Sequence, residues 1–210
     1  MMARISNDRV YGLAESIYRS GYPMMAEAPD EKTFYTETTH IEDAIKHGII
    51  NPHIRRAIKL ASMTGGGHDQ FLTGIIVQFD LTFSNKAWVE AERYTFLDFI
   101  SSMSTMHRIR AMNPMAQCNG CVSRQNIETL MRSIEAYDAI DEAQNPADKK
   151  NAYLGILYNI PAGFELTAGI TTNYRCLKNI YHQRRNHRLP DWQVFCDWVE
   201  TLPMAKGLII

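Results

Sequence analysis

Two segments rich in β-branched and aromatic residues, far apart in the chain, most strongly constrain its fold. The first, FLTGIIVQFDLTF, spans residues 71–83, and the second, FELTAGITT, spans residues 164–172. Residues of these types favour extended strands. Segments with helical periodicity lie before, between and after the two strands. Helices with a few separated strands predict an α+β fold.

The helical segments are recognised by apolar residues that recur three and four positions apart. Pro52 suits the first turn of its helix, and Asn85 is predicted to cap the longest one. We expect residues 21–40 to form a long polar loop, and a single domain whose N-terminal portion, over about residues 1–65, is helical. The predicted helices cover residues 7–20, 41–49, 52–63, 86–107, 124–142, 151–159, 173–187 and 190–201.

The balanced charge of the chain excludes partners that are held by bulk electrostatics. Its 210 residues carry a formal net charge of −1, and 45% of them are hydrophobic. This balance argues against coating nucleic acid or a membrane surface. No apolar run approaches the roughly 20 residues of a membrane helix, and MMARISNDRVYG lacks the apolar core of a signal peptide. We therefore expect a cytoplasmic protein without nucleic-acid or membrane partners.

The cysteine pattern offers only a weak indication of a metal or redox site. Cys118 and Cys121 form CNGC, whose spacing suits a metal and whose Asn-Gly centre suits a tight turn. Cys176 and Cys196 do not form a second such pair. Structural thiols are therefore favoured over metal or redox use, and no metal is predicted.

The stretch TTNYRCLKNIYHQRR, residues 171–185, combines a buried helical face with an unusual set of polar side chains. Asn173 and Arg184 are eleven residues apart, about three turns, and so lie on one side. Arg175 and Asn179 are predicted to lie beside that line. The alternatives are a solvated face, with Asn173 as a helix cap and Arg184 at the negative helix terminus, or a site for an anion.

Two longer segments, taken together, resemble the flavin-dependent thymidylate synthase family. The segment GGHDQFLTGIIVQFDLTFSNKAWVEAERYTFLDFISSMSTMHR resembles the family's Gly-His-(Glu/Asp)-Ser-x-x-Glu-His, strand and helix leading to an Arg-His-Arg signature. The segment IPAGFELTAGITTNYRCLKNIYHQR is similar to its Leu-Pro, strand and Asn-Ala-Arg-Ser-Leu-x-x-Phe-x-x-x-Arg. The resemblance implies an antiparallel sheet flanked by helices, and a homotetramer whose active sites are shared between subunits.

The resemblance also implies roles for individual residues. Arg184 matches the arginine that holds the nucleotide in the family, and Asn173 and Arg175 match residues that contact flavin. The implied nucleotide-binding set is Arg184, Ser102, His107 and Arg108, and the implied cofactor-binding set is Asn173, Arg175, Asn179 and His68.

The departures from the family pattern fall on its chemistry. Leu97, Asp98 and Phe99 occupy the Arg-His-Arg positions, and Thr73 and Gly74 occupy those of the Glu-His pair. Placing the signature on MHRIRAMN instead recovers His107, Arg108 and Asn113, but inserts several residues into a helix and loses both serines and the Glu. An acidic side chain such as Asp98 is unfavourable where a diphosphate would bind. The sequence therefore indicates the fold more strongly than it indicates flavin binding.

The resemblance implies one-carbon transfer to dUMP or a related pyrimidine nucleotide, with FAD and methylenetetrahydrofolate. The protein would act chiefly by positioning these molecules. The alternative is a non-catalytic relative that keeps the scaffold and binds a nucleotide or a protein partner. The sequence does not identify a catalytic residue.

Overall fold

A computed structural model describes residues 3–63 and 66–210, and its centre is an antiparallel sheet of four strands. The strands are β1 (Arg4–Tyr11), β2 (Ile76–Ser84), β3 (Asp98–Ser102) and β4 (Glu165–Asn173), in the order β1-β2-β4-β3. β2 and β4 occupy the middle, so the two strands predicted from the sequence pair with each other. The first was predicted to start at residue 71 but begins at Ile76, because residues 70–74 form a 3₁₀ helix. The α+β prediction and the antiparallel sheet are confirmed.

Eleven α-helices are present within the described residues. The longer ones are α1 (Leu13–Arg19), α2 (Glu31–Lys46), α3 (Pro52–Ser62), α4 (Asn85–Ala91), α7 (Arg124–Ala139), α8 (Pro146–Tyr158), α9 (Tyr174–Arg184) and α10 (Pro190–Val199). The single-turn helices are α5 (Thr105–Arg108), α6 (Pro114–Gln117) and α11 (Ala205–Leu208). Within the described ranges, none of these helices has the length and apolar character that a membrane crossing requires.

The register of the central β2–β4 pair shows which residues lie at each end of β4. Ile76 pairs with Asn173 at one end, and Ser84 pairs with Glu165 at the other. Since antiparallel strands rise about 3.4 Å per residue, these ends lie about 27 Å apart. α9 follows the Asn173 end, and α4 follows the Ser84 end.

Alternation along β2 directs apolar side chains to one face, which forms the main core. Val77, Phe79, Leu81 and Phe83 are buried there, and Phe83 packs edge-on against Trp192 of α10 with ring centroids 5.0 Å apart. This follows from the two-residue period of a strand. A smaller core lies between α7 and α8 and is formed by Ile109, Cys118, Ile127, Leu130, Ile156 and Phe164.

The predicted helix over residues 7–20 is wrong over its first part, because residues 4–11 form β1. Gly12 ends that strand with a φ of 71°, a conformation that favours glycine. A Cβ atom at this position would lie 2.7 Å from the carbonyl oxygen of Gly74. The helix therefore starts only at Leu13, and the N-terminal portion contributes a strand to the sheet.

The predicted loop over residues 21–40 is wrong from residue 31 onward. Asp30 accepts a hydrogen bond from the Thr33 N–H at 2.7 Å and so caps α2. The polar residues of this segment lie on the exposed side of the helix. Its buried side is narrow and consists of Thr38, Ile41 and Ala44.

The long helix predicted over residues 86–107 is also wrong. Its cap is Ser84, which accepts from the Ala87 N–H at 3.2 Å, and Asn85 is the first helical residue. The helix ends at Ala91, and Phe96 has a φ of 71°. The β-favouring segment that follows pairs with β4 as β3, so tertiary pairing overrides the helical period. The other predicted helices are confirmed to within a few residues, except that the helix predicted from residue 41 begins at Glu31 and the helix predicted from residue 151 begins at Pro146.

Candidate functional site

The helix that carries the predicted polar side chains starts where β4 ends. Asn173 closes the strand, and its side-chain oxygen accepts from the Cys176 N–H at 2.9 Å, capping α9. The residue is buried, with 8% of its surface exposed. The structure therefore shows the capping role for this oxygen, and a contact of Asn173 with a cofactor stays a prediction.

The expectation that Arg175 and Asn179 lie beside the line from Asn173 to Arg184 is wrong. A helix turns by about 100° per residue, so the nine residues from Arg175 to Arg184 place the two guanidinium groups half a turn apart. Arg175 and Asn179, four residues apart, share one side. The helix thus presents two separate cationic regions.

The first region, which we call the junction cluster, is formed by Arg175, Lys178, Asp69 and Gln70. The Arg175 Nε donates to Asp69 Oδ1 at 3.2 Å, and Nη1 donates to Gln70 Oε1 at 2.8 Å. The Lys178 Nζ donates to Asp69 Oδ2 at 3.0 Å and to the Ala61 carbonyl at 2.6 Å. One carboxylate therefore binds both cations and holds the 66–70 segment on α9.

His68 and Asn179 are next in the chain to members of the junction cluster, and both are exposed. His68 precedes Asp69 in the chain, and Asn179 follows Lys178. Both offer side-chain nitrogen atoms to a ligand at the surface. The structure places Arg175 in the first turn of α9 and Asn179 in its middle, and a cofactor-binding role for Arg175, Asn179 and His68 stays a prediction.

The start of β3 lies against this junction. Asp98 pairs with Thr171 of β4, and the Cys176 thiol donates to the Thr95 carbonyl at 3.4 Å. Burial raises the pKa of Cys176, and the charge of Asp98 acts in the same direction. The segment that occupies the Arg-His-Arg positions is therefore next to α9, and it brings an acidic side chain there.

The second region, which we call the Arg184 cluster, surrounds the end of α9. Arg184 Nη1 donates to Glu90 Oε2 at 2.9 Å, and its Nε donates to the Tyr94 hydroxyl at 2.6 Å. Its guanidinium carbon lies 4.8 Å from the centroid of the Trp192 ring, within the range of a cation–π interaction. Only 16% of the Arg184 side chain is exposed.

Glu90 is the centre of this second cluster. It accepts hydrogen bonds from Lys86 and Trp192 as well as from Arg184, and His187 lies 3.4 Å away. Burial opposes ionisation of Glu90, but the bonds from Lys86 and Trp192 hold its pKa below the ordinary value. A phosphate at Arg184 would have to share the guanidinium with this carboxylate.

Among the described residues, no hydrogen bond or ion pair joins α9 to the remaining predicted nucleotide ligands, Ser102, His107 and Arg108. Ser102 pairs with Ala168, five residues along β4 from Asn173. That separation is about 17 Å at the rise of an antiparallel strand. His107 and Arg108 are exposed on α5, beyond the end of β3.

The CNGC segment forms the predicted tight turn. The Cys121 N–H donates to Asn119 Oδ1 at 3.1 Å. Cys118 is buried and Cys121 is exposed. In residues 3–63 and 66–210, no group of three His, Cys, Asp or Glu side chains is arranged to hold a metal ion.

Sequence reasoning missed Asp69, Lys178 and Glu90. Lys178 lies three residues after Arg175 and so on a neighbouring helix position, which is a usable signal. Asp69 and Glu90 are separated from their arginines by 106 and 94 residues, and no local pattern links them.

Comparison with solved structures shows what the whole fold resembles. A crystal structure of the flavin-dependent thymidylate synthase ThyX from Helicobacter pylori, complexed with FAD and dUMP, superposes with a TM-score of 0.64. It covers 100% of this chain and 98% of that protein, at 12% sequence identity. A second structure of that enzyme with FAD and dUMP gives a TM-score of 0.63, with 100% and 97% covered and 12% identity. No protein-family model and no curated protein sequence matches the chain.

Proposed function

We propose that this protein is a pyrimidine-deoxynucleotide-modifying enzyme of the thymidylate synthase type. The proposal rests chiefly on one observation, the end-to-end similarity of fold to an enzyme solved with FAD and dUMP. Its substrate would be dUMP or a related pyrimidine nucleotide, and its reaction the transfer of a one-carbon unit such as that of methylenetetrahydrofolate.

The two cationic regions on α9 support binding of a nucleotide monophosphate. In the junction cluster, Arg175 and Lys178 face one carboxylate, Asp69, which leaves a net charge of +1; the Arg175 side chain is 37% exposed, whereas that of Lys178 is 12% exposed. In the Arg184 cluster, Lys86 and Arg184 face Glu90, with His187 beside them. In the proposal, Arg184 holds the nucleotide phosphate, because a planar guanidinium can bind phosphate oxygens in pairs.

The described residues of a single chain do not fit the diphosphate of FAD. Asp69 already neutralises one of the two cations at the junction, and Asp98 places a further negative charge on the neighbouring strand. Arg175, Asn179 and His68 offer donors for the edge of a ring system, but little net positive charge for two phosphates. Flavin, as the source of hydride, is therefore the part of the proposal that needs a direct test.

Assembly into a homotetramer is part of the proposal, because one chain does not bring all predicted ligands together. Ser102, His107 and Arg108 would reach the nucleotide from another subunit. The edge strand β3 and the segments around it expose large apolar side chains, as expected of a surface that another copy covers. These side chains belong to Phe96, Phe99, Ile100, Met103, Met106 and Met115.

A second candidate function is supported by the internal carboxylates. Asp69 and Glu90 form ion pairs with Arg175 and Arg184, the arginines that would hold phosphates. A relative that has lost catalysis, and that keeps the scaffold to bind a nucleotide or a protein, would tolerate such pairs. This candidate predicts nucleotide or partner binding without flavin.

The experiment is to record the absorbance spectrum of the purified protein with and without added FAD, and to titrate dUMP by calorimetry. A flavin band together with saturable dUMP binding supports the enzyme. Binding of dUMP without flavin favours the non-catalytic relative. Absence of dUMP binding would overturn both nucleotide proposals.

The assignment of Arg184 is tested by replacing it with lysine, which keeps the charge beside Glu90 but loses the planar fork. We expect Arg184→Lys to weaken dUMP binding about tenfold, consistent with the loss of a charge-assisted hydrogen bond. Arg188→Ala, a change at an exposed arginine nearby, is the matched control and should leave affinity unchanged. Equal affinities in the wild type and Arg184→Lys would remove Arg184 from the nucleotide site.

A further inference from the structure

The carboxylate of Glu90 lies where four side-chain nitrogen atoms of the Arg184 cluster converge. Its Oε2 accepts from Arg184 Nη1 at 2.9 Å and from Trp192 Nε1 at 3.1 Å, and its Oε1 accepts from Lys86 Nζ at 3.0 Å. His187 Nε2 lies 3.4 Å from Oε2. Donors from α4, α9, α10 and the segment between α9 and α10 thus surround two oxygen atoms, which is the arrangement that binds an anion.

The imidazole of His187 is oriented with its donor towards Glu90. The Leu189 N–H donates to His187 Nδ1 at 3.2 Å. A ring nitrogen that accepts a hydrogen bond carries no proton, so the proton of the neutral ring lies on Nε2. All four nitrogen atoms around Glu90 are therefore donors, and two of them belong to the cations Lys86 and Arg184.

Two of the donors are held by contacts that do not involve Glu90. The Arg184 Nε donates to the Tyr94 hydroxyl at 2.6 Å, and the guanidinium lies over the Trp192 ring. Trp192 is fully buried and packs against Phe83. These donors would keep their positions if Glu90 left, so an anion in its place would bind at a small cost in side-chain entropy.

The cluster is accessible to solvent through its more exposed members. Lys86 has 56% of its side chain exposed and His187 has 27%, and Glu90 itself has 18%. Glu90 is the penultimate residue of α4. Its side chain can rotate towards solvent without movement of the helix, and an anion can approach past Lys86 and His187.

The charge of Glu90 determines which anions can compete with it. Burial opposes its ionisation, but the bonds from Lys86 and Trp192 keep the pKa of Glu90 below its ordinary value, so it is a carboxylate at neutral pH. Exchange of this carboxylate for another singly charged anion leaves the attraction to Lys86 and Arg184 nearly unchanged. A doubly charged anion strengthens that attraction, because the Coulomb energy is proportional to the charge.

We propose that Glu90 is an internal ligand of the Arg184 cluster and that the terminal phosphate of a phosphate monoester displaces it. Displacement makes the cluster select doubly charged phosphate over singly charged anions such as a phosphodiester. The substrate class is then a monophosphate with a terminal phosphate group, and Glu90 sets its affinity. This inference rests on the proposed assignment of the nucleotide phosphate to Arg184.

The test uses methyl phosphate, which is doubly charged at about pH 8 because the second pKa of a phosphate monoester is about 6. Dimethyl phosphate, a similar molecule with a single charge, is the control ligand. Calorimetric titration of the full chain measures both affinities. We expect methyl phosphate to bind at least about tenfold more tightly than dimethyl phosphate.

The indole N–H of Trp192 reports displacement directly, because Glu90 is its acceptor. We expect its NMR signal to shift as methyl phosphate replaces the carboxylate, and Trp192→Phe, which lacks the signal, identifies it. The indole N–H of Trp88 donates to the Leu166 carbonyl at 3.1 Å. It is an internal reference and should not shift.

Removal of the internal ligand should raise anion affinity. In Glu90→Gln no carboxylate has to leave, so we expect both ligands to bind about tenfold more tightly, by the same factor. Glu90→Asp, whose shorter side chain withdraws the carboxylate from the donors, should raise both affinities less. Glu92→Gln, the matched control, removes one negative charge from an exposed position two residues away and should change neither affinity. Urea unfolding checks that each variant is folded.

Absence of methyl phosphate binding, an unshifted Trp192 signal at saturation, or no gain in Glu90→Gln would each overturn the proposal. A gain for methyl phosphate alone would also overturn it, because Glu90 would then stay in place and repel the second charge. Methyl phosphate carries no base, so this test is separate from the titration of dUMP. Displacement of Glu90 without dUMP binding would count against the proposed function alone, and dUMP binding without displacement against this inference alone.

Discussion

Each of the two cationic regions on α9 pairs an arginine with a carboxylate, but the two arginines differ in how far they are buried. In the Arg184 cluster, the guanidinium lies against Trp192 and 16% of its side chain is exposed. In the junction cluster, 37% of the Arg175 side chain is exposed, although the neighbouring Lys178 side chain is 12% exposed. Burial makes the first arginine a part of the protein's framework, whereas the second remains accessible to a ligand.

This difference predicts separate roles for the two arginines in the proposed site. A framework arginine is already oriented, which favours recognition of a phosphate, but its carboxylate must be shared or displaced. An accessible arginine binds anions at a smaller cost but is less well oriented. The four predictions below test whether the two regions differ in this way.

The largest expected effect is on stability. Arg184→Gln removes one of the two cations bonded to the largely buried Glu90, leaving Lys86, and removes the stacking on Trp192. We expect a loss of about 2–3 kcal/mol in the free energy of unfolding, measured with urea. Arg175→Gln, the matched change at the junction, should cost under about 1 kcal/mol. Equal losses at the two positions would contradict the distinction between them.

Double-mutant cycles sharpen the same comparison by isolating each ion pair. We expect a coupling energy of about 2 kcal/mol between Arg184 and Glu90, using Arg184→Gln and Glu90→Gln. The coupling between Arg175 and Asp69 should be under about 1 kcal/mol, because the arginine is more exposed. A larger coupling energy between Arg175 and Asp69 than between Arg184 and Glu90 would show that the junction cluster is the one that contributes more to stability.

The sequence predicted most of the scaffold because its signals are local. β2 and β4 have strong β-propensity, and α9 has both a cap and a helical period. The edge strand β3 was missed because its five residues follow a segment with helical periodicity. Only its pairing with β4 decides its conformation, and pairing across the chain leaves no local pattern.

For the candidate site, the sequence predicted the cations but not their carboxylates. Arg175 and Arg184 are visible from spacing on one helix, and the resemblance adds their expected roles. Asp69 and Glu90 reach them only through the fold, over separations of 106 and 94 residues. The sequence therefore does not reveal that an anion must compete with a carboxylate at either arginine.

Anion affinity gives a third, smaller effect. Asp69→Asn removes the internal competitor for Arg175 and Lys178, and should raise affinity for inorganic phosphate about fivefold, or about 1 kcal/mol. Asp98→Asn removes a nearby charge without breaking one of these ion pairs, so it should raise affinity less. Calorimetric titration measures both. No gain in either variant would show that the junction does not bind anions.

The smallest expected effect is the pH dependence of the Arg184 cluster. The pKa of Glu90 in the folded protein is held below its ordinary value, so its ionised form stabilises the fold. That contribution is fully present above the ordinary pKa and is lost as the pH falls through the folded one. The stability difference between the wild type and Glu90→Gln should therefore narrow as the pH is lowered from neutrality into this acidic range. Urea unfolding at a series of pH values measures it, and a difference that widens on acidification would show that Glu90 does not stabilise the cluster as a carboxylate.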